Sequence, residues 1–234
     1  MEADKIINGN CWVACIDLLG FKKELLGFEK QSGVGMLDIF VESFYKEILE
    51  IFQKDVKDFK GGVFACWASD TFVFYTPDDS DASFSTISIV ANNFCCRMIW
   101  HQKAFRGALG TGQFYADRQN NIFLGSAFID AYEYAEKQNW IGFVVTPTAE
   151  KKIGDIDIEL SLNIQPHISL YQYSQYDVPI KEKELRNSVE GTERLFAAKI
   201  PDARESFRMP SGLPQEVMVK YENTLRFFEQ CPCP

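Results

Sequence analysis

Residues 11–16 read CWVACI, an unbroken apolar run that stops at Asp17 and meets a glycine at Gly20. A run with no polar residue at alternate positions is the signature of a strand buried on both faces, and Gly20 marks the turn that follows it. A chain built around such a strand must cover a sheet on two sides, and helices are the usual cover. The apolar positions Leu37, Phe40, Val41, Phe44, Ile48, Ile51 and Phe52 recur at three- and four-residue spacing and predict a helix over 36–56. After Gly61 and Gly62, two short β-rich runs at 63–67 and 71–75 flank Ala68, Ser69 and Asp70, which predicts a tight hairpin.

The alternation continues along the chain. Asp81 is placed to cap a helix over about 82–101, whose apolar stripe is Phe84, Ile87, Val90, Ala91, Phe94 and Met98. Residues 105–115 (FRGALGTGQFY) read as a strand interrupted by glycines, where another backbone or a ligand can approach closely. A helix over 125–138 and a β-rich run at 141–146 complete the pattern. Strand, helix, hairpin, helix, strand, helix, strand specifies an α/β sandwich: a mixed sheet with an antiparallel hairpin at its centre and helices laid on it. Beyond residue 150 the periodicity weakens, leaving edge strands at 168–173 and 176–180 and a last helix over 216–228. The expected organisation is a principal domain at 1–150 and a C-terminal segment at 151–234 that packs on it or on a second copy.

Composition narrows the function. The 234 residues carry 24 Lys and Arg against 33 Asp and Glu, a formal net charge of −9, with no basic block. A nucleic-acid partner is not expected, because phosphate contacts by Lys and Arg supply most of such affinity. The longest apolar runs fall short of a bilayer span and the first ten residues carry charges, so neither a membrane anchor nor an export signal is expected, and the cytoplasm is the expected compartment. Among seven cysteines, Cys11, Cys15, Cys66, Cys95 and Cys96 sit in apolar surroundings that suit free thiols, and no disulfide framework is expected. Cys231 and Cys233 form a short tail motif too sparse for a metal centre, and His101 and His167 have no ligand partner at metal spacing.

The chemistry centres on two aspartates. Asp17 ends the first strand and Asp70 lies in the hairpin turn. If the first strand and the first strand of the hairpin are neighbours, the two carboxylates approach each other outside the core and repel unless a cation sits between them. Hard divalent ions fit such oxygen donors, and a pair of ions about 3.5–4 Å apart can serve an in-line displacement. The same residues also read as a strand-end aspartate and a turn aspartate chosen for local hydrogen bonding.

Four segments taken together, ACIDLLGF at 14–21, WASDTFVFY at 67–75, FRGALGTGQFY at 105–115 and GSAFIDAYEYA at 125–135, resemble the class III nucleotidyl cyclases. The resemblance covers roughly residues 10–147 and implies a ferredoxin-like palm. It implies a nucleoside triphosphate substrate, two Mn²⁺ or Mg²⁺ ions held by Asp17 and Asp70 with the Leu18 carbonyl, and attack by the ribose 3′ hydroxyl on the α-phosphate. It also implies a head-to-tail homodimer. The purine-reading residues of that family are absent: Cys66 stands where a lysine is common, and Ile129 and Glu133 stand where an asparagine and an arginine are. The helix pattern at 125–135, the Tyr-x-Val-Pro-x-Lys run at 176–181 and the Lys-Tyr-x-Asn-Thr-x-x-Phe run at 220–227 resemble instead the pyrimidine cyclases of bacterial anti-phage systems. Those imply cyclic UMP or cyclic CMP, with uridylate ahead of cytidylate, made on infection and read by a separate effector protein.

Within that resemblance Arg106 is the candidate for neutralising charge on the triphosphate, with pairing to an acidic neighbour as the plainer role. Gly20 and Phe21 belong to the turn whose amides would face the phosphates, Phe21 beneath it or simply in the core. Cys66, Trp67 and Tyr45 are the candidates for the base, where bulky side chains would narrow a pocket for a pyrimidine; core membership is the alternative for each. A palm without catalysis and a cyclic-dinucleotide synthase remain as other readings, the latter set back by Ala68-Ser69-Asp70-Thr71 in place of a Gly-Gly-Asp turn.

Overall fold

The computed structural model describes residues 6–22, 25–27, 46, 62–154, 173–181, 190–198 and 206–231. The helix predicted over 36–56, Lys46 aside, lies outside them, as do Tyr45, His167, Cys233 and all but the last residue of the strand predicted at 168–173. The described elements are β1 (Ile7–Leu18), β2 (Phe64–Ala68), β3 (Thr71–Tyr75), α1 (Asp81–Trp100), β4 (Phe105–Asp117), β5 (Ile122–Leu124), α2 (Ser126–Lys137), β6 (Gly142–Val145), α3 (Pro147–Gly154), β7 (Tyr173–Lys181), β8 (Glu190–Ala198) and α4 (Gln215–Gln230).

They form one mixed sheet in the order β2-β3-β1-β4-β6-β8-β7, with β5 added to β4. β1 lies between β3 and β4 and is antiparallel to both, and β6 runs parallel to β4. The neighbour of β1 is therefore the second hairpin strand, not the first as expected: β3 stands between β1 and β2, and the hairpin, expected at the centre of the sheet, forms one end of it with β2 outermost. The order β4-β1-β3-β2 is the split βαβ arrangement of a ferredoxin-like palm.

Alternation along β1 explains its apolar run. Trp12, Ala14, Ile16 and Leu18 join Phe72, Phe74 and the α1 residues Ile87, Val90 and Phe94 in one cluster, whereas Cys11, Val13 and Cys15 join Val73, Tyr75, Phe114 and the α2 residues Ala127 and Ala131 in another. Each face of β1 has its own core, so every position is apolar. The Phe94 ring packs 5.1 Å from Phe72 and 5.2 Å from Phe74, and burial of one such side chain is worth about 1.5–3 kcal/mol.

α1 starts one residue earlier than expected, and its cap is Ser80, whose side chain accepts from the Ser83 amide. Asp81 falls inside the first turn; the carboxylate that organises the cap is Asp78, which accepts from the Ser80 amide and from both the Ser80 and Ser83 hydroxyls. Those hydrogen bonds hold its pKa below the ordinary carboxylate value. α2 presents Ala127 and Ala131 to β4, where a Cβ on Gly110 would come 2.9 Å from the Ala127 carbonyl oxygen. The close approach allowed by the strand glycines is thus taken up at Gly110 by a helix of the same chain.

Beyond residue 150 the sheet continues: β8 pairs β6 and β7 pairs β8. α4 contributes Tyr221, Phe227 and Phe228 to the same cluster as Trp140, whose ring lies 4.9 Å from Phe227 and 5.7 Å from Tyr176. Sequence reading missed β5, α3 and β8; the first five residues of β8 (EGTER) are glycine or polar and its apolar residues are confined to Leu195–Ala198, too short a run to announce a nine-residue strand. No described helix is long and apolar enough to cross a membrane, and six described cysteines are free thiols.

Candidate functional site

The C-terminal end of β1 is where the sheet delivers charge. Asp17 follows Cys15 on the face that carries α2, and opposite it in register are Thr71 on β3 and Arg106 on β4. Arg106 donates through Nε to Asp17 Oδ2 at 2.8 Å, and its second terminal nitrogen lies 2.8 Å from the same oxygen. Its first terminal nitrogen donates to the Glu136 carbonyl at the end of α2, at 2.5 Å. Both side chains are largely buried, 13% exposed for Arg106 and 17% for Asp17. Arg106 therefore does both things the sequence suggested, lying on the strand beside the site and pairing with an acidic neighbour, and that neighbour is Asp17 itself.

Asp70 arrives from the hairpin. The Leu18 amide donates to the Asp70 carbonyl at 3.0 Å, so the turn is stitched to the strand end next to Asp17. Ser69, just before it, has φ +57°, the left-handed backbone that primed hairpin turns require at their first central residue. A non-glycine residue held there is mildly strained, a condition the surrounding ladder enforces. On the other side, Gly20 takes φ +86° and lets the chain turn away after Leu19. Phe21, 8% exposed, goes into the core with Leu18.

Burial raises the Asp17 pKa above the ordinary carboxylate value; Arg106 opposes that shift by charge and hydrogen bonding, and the nearby charges of Asp70 and Glu136 add to it. The charge of Asp70 thus reaches Asp17, and repulsion of that kind is what a divalent cation removes. Among the described residues no group of three or more His, Cys, Asp or Glu side chains forms a metal centre. A pair of carboxylates suits Mg²⁺ or Mn²⁺ when a phosphate-bearing ligand completes the coordination. Both Arg106 contacts fall on Oδ2, which leaves Oδ1 as the Asp17 oxygen not engaged by the guanidinium.

The base-contact candidates separate. Cys66 pairs across from Val73 and shares the face of Asp17, whereas Trp67 pairs across from Phe72 and points to the other face, with 43% exposure. Ile129 and Glu133 lie on the exposed side of α2, Ile129 with 56% exposure, so neither turns toward Asp17 of its own chain.

Two lysines absent from the sequence reading of the site belong beside it. Lys181, the last residue of β7, extends Nζ to the same Glu136 carbonyl at 3.4 Å. Partial removal from water, with Arg106 and Lys220 nearby, pulls its pKa down to about 8. Lys220 on α4 shifts down too, through burial first and Arg106 second. The signal for Lys220 was its spacing: it stands three residues after Val217, which packs on the core, and four before buried Thr224, and so falls on the inward stripe of α4. Lys181 closes a strand with buried Val178, but nothing in sequence places that strand end beside Arg106.

No protein-family model and no curated protein matches the chain. Solved structures do. The catalytic core of a rhodopsin-guanylyl cyclase with converted specificity, in complex with ATPαS, superposes with a TM-score of 0.55 at 11% identity, over 84% of this chain and 97% of that one. An adenylate/guanylate cyclase/hydrolase from Silicibacter pomeroyi gives a TM-score of 0.45 at 10% identity, covering 82% of this chain and 96% of that one. The first likeness is one of fold: the mixed sheet and its helices have the palm arrangement of the class III nucleotide cyclases.

Proposed function

We propose that this chain is a homodimeric, metal-dependent nucleotide cyclase that converts a pyrimidine nucleoside triphosphate, UTP ahead of CTP, to its 3′,5′-cyclic monophosphate and pyrophosphate. The observation that supports the reading is the 3.0 Å bond from the Leu18 amide to the Asp70 carbonyl, which ties the hairpin turn to the strand end beside Asp17, together with the charge of Asp70 reaching Asp17. These carboxylates and the Leu18 carbonyl are the oxygen donors that would hold two Mn²⁺ or Mg²⁺ ions. Bound there, the ions supply acidity to the 3′ hydroxyl and neutralise the leaving pyrophosphate.

The residues of the chain orient the reactants. The 3′ oxygen forms a bond to the α-phosphorus as the bond to the β-phosphate oxygen breaks, and the hydroxyl proton leaves to solvent. Arg106 would neutralise the charge that develops on the departing phosphates, a role its place on β4 beside Asp17 supports. Pyrimidine preference is supported by Cys66, Ile129 and Glu133 in place of a purine-reading set. It is supported also by the runs at 176–181 and 220–227, whose Lys181 and Lys220 are both within electrostatic reach of Arg106. Phe64, Cys66, Phe123 and Phe128 fringe the second cluster only partly buried, next to exposed Ile129 and Tyr132, and this apolar face supports pairing with a second copy. As a product, the cyclic nucleotide would act in the cytoplasm as a second messenger of anti-phage defence, read by a separate effector protein.

The Arg106–Asp17 ion pair also favours a second reading, a palm that binds a nucleotide without turning it over, because the guanidinium occupies one oxygen of the key carboxylate. One assay separates them. Purified protein is incubated with each ribonucleoside triphosphate and Mn²⁺ and the products are resolved by chromatography. A cyclic UMP or cyclic CMP peak that disappears in Asp70→Ala is the expected result; triphosphates unchanged in every tube overturn the cyclase and leave the binding palm, and a dinucleotide peak would assign a cyclic-dinucleotide synthase.

A further inference from the structure

α2 lies on the sheet through alanines. Its buried residues are Ala127, Ala131 and Ala135, and a Cβ on Gly110 would come 3.3 Å from the Ala131 methyl. Methyl groups set the depth at which a helix sits, but they interdigitate too little to fix its rotation or its slide along the strands. The start of the helix adds no such hold, because its N-cap is Gly125, which has no side chain to bond the first turn. The orientation of α2 falls to the polar side chains on its flank.

Asp130, Tyr134 and Lys137, at four- and three-residue spacing, make up that flank. In the first half of the helix, Asp130 Oδ2 accepts from the Thr148 hydroxyl of α3, which lies 2.9 Å from the Thr146 hydroxyl. In the second half, both residues meet one carboxylate from β8. Tyr134 donates from Oη to Glu193 Oε1 at 3.1 Å, and Lys137 donates from Nζ to Oε2 at 2.5 Å. Lys137 Nζ also stands 3.4 Å from the centre of the Tyr134 ring, so the three side chains close a triangle. The lysine is 21% exposed and the glutamate 30%, which limits screening of the ion pair. Burial, and then the Glu193 charge, raise the Tyr134 pKa and keep its hydroxyl the donor.

Glu136 lies between the two residues that Glu193 holds, and its carbonyl is the acceptor for Arg106 Nη1. The other two guanidinium nitrogens are on Asp17 Oδ2. A planar guanidinium is aimed by the acceptors along its edges, so a rotation of the last turn of α2 turns Arg106 against Asp17. Gln138 donates to the Tyr134 and Gly107 carbonyls and sets how far this turn stands from β4. Glu193 grips the turn from its side and resists its rotation.

We infer that Glu193 is a positioning residue: by holding Tyr134 and Lys137 it aims the Glu136 carbonyl, and through that carbonyl the Arg106 guanidinium, at Asp17. Its consequence for chemistry rests on the nucleotide reading above, whereas the alignment itself forms without a ligand. β8, separated from β1 by β4 and β6, thereby takes a part in ordering the site.

The test is the proton–nitrogen NMR spectrum of the ¹⁵N-labelled full chain in EDTA, without nucleotide. The Arg106 Nε–H signal is identified by its absence in Arg106→Lys. Lys137→Met removes the ion pair and leaves the Tyr134 bond; Glu193→Ala removes both. In each, the signal is expected to move toward the position of a solvent-exposed arginine, with exchange against water at least about tenfold faster in Glu193→Ala. Lys137→Arg, which keeps a cation within reach of Glu193, is expected to restore the parent signal. Arg194→Gln, at the next residue of β8 and paired instead with Asp177, is expected to leave it in place. An Arg106 signal unmoved in either folded variant, moved as far in Arg194→Gln, or not restored in Lys137→Arg overturns the inference. Chemical shift reports the local bond, so a variant that is folded but only less stable leaves the signal in place. Lys137→Met removes one partly exposed pair and keeps the test decisive if Glu193→Ala does not fold. If the signal moves as expected and every triphosphate stays intact, the cyclase reading falls alone. If a cyclic product forms and the signal is unmoved, the positioning role falls alone.

Discussion

Arg106 and Asp17 face each other across the β1–β4 ladder, and two guanidinium nitrogens converge on one carboxylate oxygen at 2.8 Å. The pair holds the proposed metal carboxylate in place while leaving its other oxygen clear of the guanidinium. Removing either partner should therefore have opposite consequences.

Arg106→Met leaves a mostly buried carboxylate without its counter-charge. The expected loss is about 1–3 kcal/mol of stability at neutral pH, measured as a lower urea midpoint with an unchanged slope. The loss should shrink at acid pH. Without Arg106 the Asp17 pKa rises further, the folded state binds the proton more tightly than the unfolded chain, and stability falls as pH rises through that window. A variant as stable as the parent at pH 7 would show that the pair contributes nothing.

Asp17→Asn keeps an acceptor for Arg106 and removes a charge that burial disfavours, so in EDTA its melting temperature is expected at or above that of the parent chain. Addition of Mn²⁺ should reverse the ranking, since a ligand bound only by the folded state stabilises in proportion to the logarithm of its concentration over Kd. Equal shifts in both proteins on Mn²⁺ addition would remove Asp17 from the ion's coordination.

Lys181 gives a pH signature of the other sign. Its pKa falls from 10.5 to about 8 in the folded protein, pulled down by partial burial and by Arg106 and Lys220 against the opposing pull of Glu136 and Asp17. Between those values the unfolded chain binds more protons, so stability rises with pH through the window, and the cost of the charged lysine is present in full below about pH 8. The melting temperature of the parent chain, relative to Lys181→Met, should therefore climb from pH 7 to pH 10. A flat difference would contradict the crowding of cations at this end of the sheet.

Gly125 lies outside the site but sets α2. It precedes the helix with φ +141°, and a Cβ there would meet the Gln113 carbonyl oxygen at 2.2 Å. Gly125→Ala should cost about 2–3 kcal/mol through strain and displaced backbone, read by chemical denaturation. Because α2 ends at the Glu136 region that Arg106 and Lys181 share, activity should fall in parallel.

How much of this was legible in the chain depends on the range of the interaction. The CWVACI run announced a strand covered on both sides, and the spacing through α1 announced its buried stripe, because both patterns follow from local periods that any packing must respect. Asp17 and Asp70 stood out since each occupies a punctuation point, a strand end and a hairpin turn. The neighbour of β1 was not legible, since which hairpin strand pairs with it is a matter of crossover and not of composition. Nor was the parting of Cys66 and Trp67 used to choose between them, although strand alternation requires it. Lys181 and Lys220 lie 75 and 114 residues beyond Arg106 in the chain. Local sequence determined elements, faces and the two aspartates; tertiary structure alone decided that a guanidinium would share Asp17 and that two distant lysines would gather beside it. Segment 138–141 is held by Thr224, Asn223 and Pro179, which lie 40 or more residues away, and contacts of that range follow no local period that a sequence could display.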